Sequence, residues 1–317
     1  MTAIHRGRFA PSPTGRLHLG NAWAALLGWL WARSQGGTFF LRVEDLDTAR
    51  SRPELTEALL ADLAWLGLSF DGVPLVQSQR LDLYRAAFDR LRAAGRVYPC
   101  HCTRSEIARA VSAPHGPSDE GPRYPGTCLT LSAEESAARA RTRPPAWRFR
   151  PRDGVTEVHD LLHGTLLRDV AQEIGDFVVL RNDGVPSYQL AVVVDDADMG
   201  ITHVLRGDDL LASTPRQVLL CEALGLPVPA YAHVPLLLGP DGKRLAKRAG
   251  TPSLAELRER DIPRERLIGL LGGWANLGDG SPVPLETLLP RFSLERLPRT
   301  AITVDPEQVH AALFGPR

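Results

Sequence analysis

Three groups of residues in this 317-residue chain have the types and spacing to do chemistry. The first is the ordered string Arg8-Phe9-Ala10-Pro11-Ser12-Pro13-Thr14-Gly15, running on to His18, Gly20 and Asn21. Its prolines and Gly15 stop any regular element. Helical spacing then resumes with Trp23, Leu26, Leu27, Leu30 and Trp31. A loop that leaves a strand and opens a helix presents unpaired backbone N–H groups and the positive end of the helix dipole, a setting that suits nucleotide phosphates. His18 can donate to a phosphate oxygen, and Gly20 lets a base or ribose approach the backbone closely. A lone His-x-Gly would read as an ordinary turn before a helix. Fourteen residues in this order are more specific.

The second group is marked by composition. Lysine and arginine total 37, yet Lys243 and Lys247 are the only lysines. Both sit in the glycine-flanked segment G-P-D-G-K-R-L-A-K-R-A-G. An ammonium is compact and fits where a guanidinium fork does not, so the pair points to a chemical need for ammonium there. The third group is Cys100-His101-Cys102 with Cys128. Zinc takes four tetrahedral N, O or S ligands, and three thiols leave one place for which Tyr124, His115 and His101 compete. Reduced thiols in a loop are the plainer alternative. Cys221 lies on the apolar face of 218–224 and reads as core.

The elements that must position these groups follow from periodicity and breakers. A strand is expected over 6–10, a helix over 21–33 stopped by Gly36-Gly37, and a strand over 38–43. Helices follow near 53–67 and 81–95. Strand, loop, helix, strand is the opening of a parallel nucleotide-binding sheet. From 96 to 175 the periodicity weakens, and a Gly/Pro/Ser-rich loop over 113–126 lies beside the cysteines, which indicates an inserted module. A strand over 177–181, the turn Asn182-Asp183-Gly184 and a second strand over 188–194 read as a hairpin. A short strand at 204–205, a helix over 215–225 and helices from 254 onward, one over 264–277, complete the chain.

Composition bounds the rest. With 44% hydrophobic and 23% charged residues, the chain can bury a core without disulfides, and four cysteines are too few for a disulfide scaffold. Formal net charge is zero, so any RNA contact must come from local basic patches. No apolar run is long enough to span a membrane, and a cytoplasmic monomer without membrane contact is expected.

The string R-F-A-P-S-P-T-G-R-L-H-L-G-N resembles the signature of class I glutamyl-tRNA synthetases, with His18-Leu19-Gly20-Asn21 at the motif usually written H-I-G-H. Arg244-Leu245-Ala246-Lys247-Arg248 resembles their K-M-S-K-S loop, with Ala246 at the serine. The resemblance implies an α/β fold: a Rossmann-like parallel sheet in two halves, 1–95 and 176–240, with an inserted zinc-bearing, tRNA-contacting module at 96–175. The lysine loop and a short helical C-terminal region would occupy 241–317, and no anticodon-binding domain is expected. It implies that Lys247 and His18 are catalytic, and that His18, Gly20 and Lys247 bind ATP with its Mg²⁺. It places L-glutamate among Arg8, Phe9, Ala10, Pro11, Ser12, Glu44, Tyr188 and Arg206. The chemistry is consistent: two carboxylates and one ammonium need two cationic forks and one anion, because an unpaired buried charge is costly. Glu44 would take the α-ammonium; which arginine takes which carboxylate stays open. The plainer reading of Glu44 is an ion pair within R-V-E-D-L-D. Val192 stands where these enzymes often carry Asn, a loss of about 1 kcal/mol of glutamate binding.

R-Y-P-G-T-C also resembles the Y-x-x-x-C that completes a structural zinc site in related chains. That implies Cys100, Cys102, Tyr124 and Cys128 as ligands, with His115 in reserve. The likeness is strongest to the short branch of the family. It implies tRNA-independent activation of glutamate to glutamyl-adenylate, ATP going to AMP and pyrophosphate, and transfer of glutamate to the queuosine base at the wobble position of tRNA(Asp). Two alternatives stand beside it: a truncated glutamyl-tRNA synthetase charging the tRNA 3′ end, and a non-catalytic tRNA- or protein-binding module.

Overall fold

The computed structural model describes residues 4–103, 105–107, 123–245 and 251–315. Strand β1 (Arg6–Phe9) pairs in parallel with β2 (Thr38–Val43), Arg8 opposite Phe40. The helix Leu19–Ser34 makes the crossover and is nearly all buried, with Leu19, Leu26, Leu27 and Leu30 fully so. It begins earlier than its apolar spacing suggests because His18 caps it. His18 Nδ1 accepts from Gly20 N (3.1 Å), and the Asn21 side chain accepts from His18 N (3.0 Å). Two glycines end it for different reasons. Gly36 takes a left-handed φ of 62°, and a Cβ on Gly37 would lie 2.2 Å from the His5 carbonyl oxygen. Strand β3 (Leu75–Val76) adds in parallel to β2.

An antiparallel sheet follows, made of β4 (Val97–Cys100), β5 (Ala146–Phe149) and β8 (Phe177–Leu180). Between the last two, the hairpin of β6 (Thr156–Asp160) and β7 (Gly164–Arg168) departs to a different sheet. There β6 lies parallel to β10 (Ala230–Val234), which lies parallel to β9 (His203–Gly207), in the order β7-β6-β10-β9. The β9 sheet adjoins β1 through Thr202, whose N–H donates to Arg6 O at 3.0 Å. Trp23 Nε1 donates to Pro235 O (3.0 Å) and ties the first helix to the end of β10.

The expected second strand of the 177–194 hairpin is a helix, Tyr188–Asp198. The turn itself forms: Arg181 N donates to Val185 O (2.8 Å) and Leu180 bridges Pro186. Ser187 then caps a helix by accepting from Leu190 N. Every residue from Leu190 to Asp196 is buried, so the segment carries no amphipathic stripe. A run of valines buried on all sides reads the same in either period.

Towards the end, β11 (Leu237–Leu238) pairs in parallel with β12 (Ile302–Thr303). The helices Leu254–Glu259, Arg264–Trp274 and Pro306–Phe314 pack Leu257, Leu267, Leu271 and Leu313 into the main core. The second of these stops before 277 because Asn276 takes a φ of 58° and donates its side-chain amide to Arg296 O. Among the described residues no helix is long and apolar enough to cross a membrane.

Candidate active site

The parallel strands deliver their carboxyl ends to one cleft of about 2000 Å³, the place where open α/β sheets bind ligands. Ser12, Glu44, Tyr188, Gln189, Asp209 and Arg216 line it, and it runs on to Cys100, Cys102 and Tyr124. The signature loop is fixed to the end of β2 by Glu44 N donating to Pro11 O (3.0 Å). Ser12 is exposed in this cleft. Phe9 belongs to the main core, which leaves only its main chain for a ligand. Ala10 is half-buried between them. Val192 is buried in a second core cluster with Leu190 and Val193.

Beneath the cleft lies a buried charge network that the sequence reading missed. Arg42 is fully buried. Its guanidinium lies 2.5 Å from Asp196, 3.1 Å from Glu44 and 3.7 Å from Asp195. Arg8 donates through Nε to Asp196 (3.3 Å) and through Nη1 to Leu205 O (3.5 Å). Asp195 also accepts from Gln77, Arg80 and Tyr84 at 2.8 to 3.0 Å. Burial opposes ionisation of Asp196, but the guanidiniums of Arg42 and Arg8 overcome it and hold the carboxyl below its ordinary range. At Glu44 burial wins against Arg42 and Arg8, and the carboxyl is pushed above its ordinary range. The plainer sequence reading, Glu44 paired with a neighbour in its own segment, is what the structure has. That pairing also leaves Glu44 in the cleft wall, where a further cation would favour its charged form. The only sequence signal for the network was the doublet Asp195-Asp196 after an apolar run.

Arg206 has a different environment. Nε donates to His233 Nε2 (2.9 Å), and Nη2 donates to Thr214 Oγ1 (2.9 Å) and Gln217 Oε1 (2.8 Å). Nη1 faces the hydroxyl of Tyr188 at 3.4 Å. Among the described residues no carboxylate lies within ion-pair distance of Arg206. His233 is fully buried and donates through Nδ1 to Asp160 Oδ2 (2.6 Å). Burial holds its pKa down at about 4.

At the signature loop, His18 uses Nδ1 as the cap acceptor, so the neutral ring carries its proton on Nε2. A Cβ on Gly20 would lie 3.0 Å from the His18 ring, so the glycine keeps that ring in place. Lys247 lies outside the described residues. Its flanks are fixed: Gly239 N donates to Lys243 O (2.8 Å), Arg244 pairs with Asp209 (2.9 Å), and Leu254 N donates to Leu17 O (3.0 Å). The last bond joins the segment after the lysine loop to the signature loop.

The three thiols of Cys100, Cys102 and Cys128 lie within 4.8 Å of one another. The Tyr124 hydroxyl is 3.4 Å from Cys100 Sγ and 3.7 Å from Cys102 Sγ, and accepts from Cys128 N (2.9 Å). Three sulfurs and one oxygen around one point match the donor set of a tetrahedral zinc site. His101 is engaged elsewhere, with Nε2 on Ser136 Oγ (3.0 Å), and His115 lies outside the described residues. Arg148 donates to Cys100 Sγ (3.2 Å) and sits 3.8 Å over the Tyr124 ring. Cys221 is core, its thiol pushed up to about 12 by burial.

This fold, with its two signature segments, defines a class I synthetase catalytic domain: the chain belongs to the family of tRNA synthetases class I (E and Q), catalytic domain, matched over residues 5–302. It is an ATP-dependent ligase of that class, as the sequence resemblance implied. Within the class, it is 54% identical over 98% of both chains to the glutamyl-Q tRNA(Asp) synthetase of Symbiobacterium thermophilum. It is 51% identical to that of Nocardia farcinica, over 92% of this chain and 91% of the relative. The glutamate–tRNA ligase 1 of Acidithiobacillus ferrooxidans is 45% identical over 96% of this chain, which spans 64% of that enzyme. Among solved structures, a glutamate tRNA ligase from Elizabethkingia meningosepticum in complex with its amino acid superposes with a TM-score of 0.84 at 29% identity. The match covers 98% of this chain and 69% of that one.

Proposed function

We propose that the chain activates L-glutamate with ATP, without needing tRNA for that step, and transfers it to the queuosine base at the wobble position of tRNA(Asp). The observation that carries the amino acid is the pairing of opposites in one wall: Glu44, able to take a further cation, and Arg206, a buried cation whose partners among the described residues are all neutral. Glu44 takes the α-ammonium, and Arg8 and Arg206 take the carboxylates, with Tyr188 and Ser12 beside them and the main chain of Phe9, Ala10 and Pro11 closing the pocket. The likeness to glutamyl-Q tRNA(Asp) synthetases over nearly the whole of both chains supports the acceptor.

In the first step a glutamate α-carboxylate oxygen attacks the α-phosphorus of ATP, and the bond to the bridging oxygen breaks to release pyrophosphate. No protein nucleophile is used; catalysis is placement and charge stabilisation. His18, Gly20 and Lys247 hold the nucleotide, whose phosphates bring Mg²⁺ with them. In the second step a queuosine hydroxyl attacks the mixed anhydride and releases AMP. Zinc held by Cys100, Cys102, Tyr124 and Cys128 is structural and braces the 96–175 insertion as a tRNA-contacting module between the catalytic halves 1–95 and 176–240. We place the enzyme in the cytoplasm as a monomer.

Glutamate-dependent pyrophosphate exchange with and without tRNA tests the first step. Nuclease mapping of labelled glutamate on queuosine-containing tRNA(Asp) tests the second. Label at the 3′ end assigns the chain to ordinary glutamyl-tRNA synthesis, and no exchange under any condition makes it a binding module. Exchange with aspartate as efficient as with glutamate overturns the two-arginine pocket.

A further inference from the structure

We infer that His233, held by Asp160, is a positioning residue for Arg206: it turns the guanidinium so that the Nη1 edge faces the amino acid and leaves its charge to the ligand. The inference rests on the reading of Arg206 as a glutamate-binding residue and adds what makes Arg206 fit for it.

The geometry leaves little freedom. A guanidinium has five N–H donors in a fixed plane. His233 takes the Nε hydrogen at 2.9 Å, and Thr214 and Gln217 take the two on Nη2. That leaves the Nη1 edge, which faces the hydroxyl of Tyr188, a cleft-lining side chain. The plane of Arg206 is therefore fixed from behind by three acceptors on two elements: His233 on β10, and Thr214 and Gln217 on the helix Thr214–Leu224.

His233 accepts from an arginine only with its Nε2 lone pair, so its proton must sit on Nδ1. Asp160 secures that tautomer by accepting from Nδ1 at 2.6 Å. Asp160 is in turn fixed by the backbone N–H groups of Leu162 and His163, both at 2.9 Å, and of His233 at 3.1 Å. The charged and titratable groups that face His233 are Asp160, Arg206, His163 and the stacked Tyr231. Burial keeps the ring neutral, at a pKa of about 4.

This arrangement differs in kind from that of two other buried arginines, Arg8 and Arg42. Arg8 and Arg42 are held by carboxylates, which spend much of their charge inside the protein. Arg206 is held equally firmly by a neutral ring whose compensating acid, Asp160, stands one residue further away. A cation oriented without an internal anion discriminates a carboxylate from a carboxamide, because a neutral amide leaves the buried charge unmatched.

The test compares His233→Leu, which removes the acceptor, with His233→Gln, whose amide oxygen can still take the Arg206 N–H. Arg206→Gln is measured beside them. The readouts are KM for glutamate, KM for ATP and kcat in pyrophosphate exchange, with a thermal melt of each protein. His233→Leu should raise KM for glutamate by roughly tenfold to a hundredfold, the range for one hydrogen bond to a charged group, and leave KM for ATP within about twofold of wild type. His233→Gln should recover most of that loss. A folded His233→Leu with unchanged KM for glutamate overturns the inference while a raised KM in Arg206→Gln keeps the reading of Arg206. Equal losses in the Leu and Gln variants also overturn it, since a packing role alone would give that result. Should His233→Leu not fold, His233→Gln against wild type decides: KM for glutamate must stay within about fivefold, and that for ATP within about twofold. An unchanged KM in Arg206→Gln removes the reading and the inference together.

Discussion

Arg42→Met should destabilise the protein by about 3–5 kcal/mol near neutral pH, the usual cost of removing one partner from a buried ionic cluster. The structure sets how that cost divides. Asp195 would keep Arg80, Gln77 and Tyr84, and Asp196 would keep Arg8. Glu44 has Arg42 as its only ion pair among the described residues, so most of the loss falls on Glu44. Methionine fills much of the arginine stem, which removes charge with little cavity. The orphaned Glu44 has one escape, protonation, and burial already holds its carboxyl above the ordinary range. A carboxyl raised further in the fold binds protons more readily than in the unfolded chain, so the variant gains stability as pH falls and loses it as pH rises. Its deficit should therefore be smaller at about pH 6 than at about pH 8. Urea unfolding at both values measures this. A second substitution, Glu44→Gln, should return part of the loss, with a coupling energy above about 1 kcal/mol. A single variant within about 1 kcal/mol of wild type at both pH values, or a double variant that recovers nothing, would refute the assignment of Arg42 as the cation that holds these acids together.

Further outcomes concern the chemistry. Lys247→Ala should lower glutamate-dependent pyrophosphate exchange by at least about a hundredfold, and Lys247→Arg should be badly impaired; a near-normal rate in the arginine variant removes the need for an ammonium. Metal analysis should find zinc in the wild-type protein and none in Cys128→Ala. Tyr124→Phe should weaken zinc retention against a chelator, whereas unchanged retention would point to His115 instead. Stability should fall as pH drops from about 6.5 towards about 4, because His5 and His233 are held neutral by burial, each with a pKa of about 4, while the unfolded chain takes up protons below its ordinary histidine value. The His233 share is at most about 3 kcal/mol, and a flat stability profile across that range would contradict it.

What could be read in advance was local. The order strand, signature loop, capped helix, strand follows from residues within forty or so positions of one another, and so does the closeness of Cys100, Cys102 and Cys128, whereas Tyr124 beside them was implied by the family resemblance alone. Tyr188 lines the cleft but lies on a helix and not on the expected strand, since Ser187 caps a helix that its valines disguise. The network of Arg42 with Asp196 and the support of Arg206 by His233 and Asp160 were not legible. Each joins residues from different strands and helices, and a buried arginine has no signature that separates it from a surface one until its neighbours are known. Arginine is also the commonplace cation of this chain, so Arg42 carried no compositional mark of the sort that singled out Lys247.

The bond from Leu254 N to Leu17 O has a consequence for synthesis. The signature loop is synthesised first, and its bracing partner follows only after the lysine loop. β11, just before that loop, pairs with β12, made some sixty residues later. A nascent polypeptide consequently carries the signature loop without this bond until residue 254 has been made.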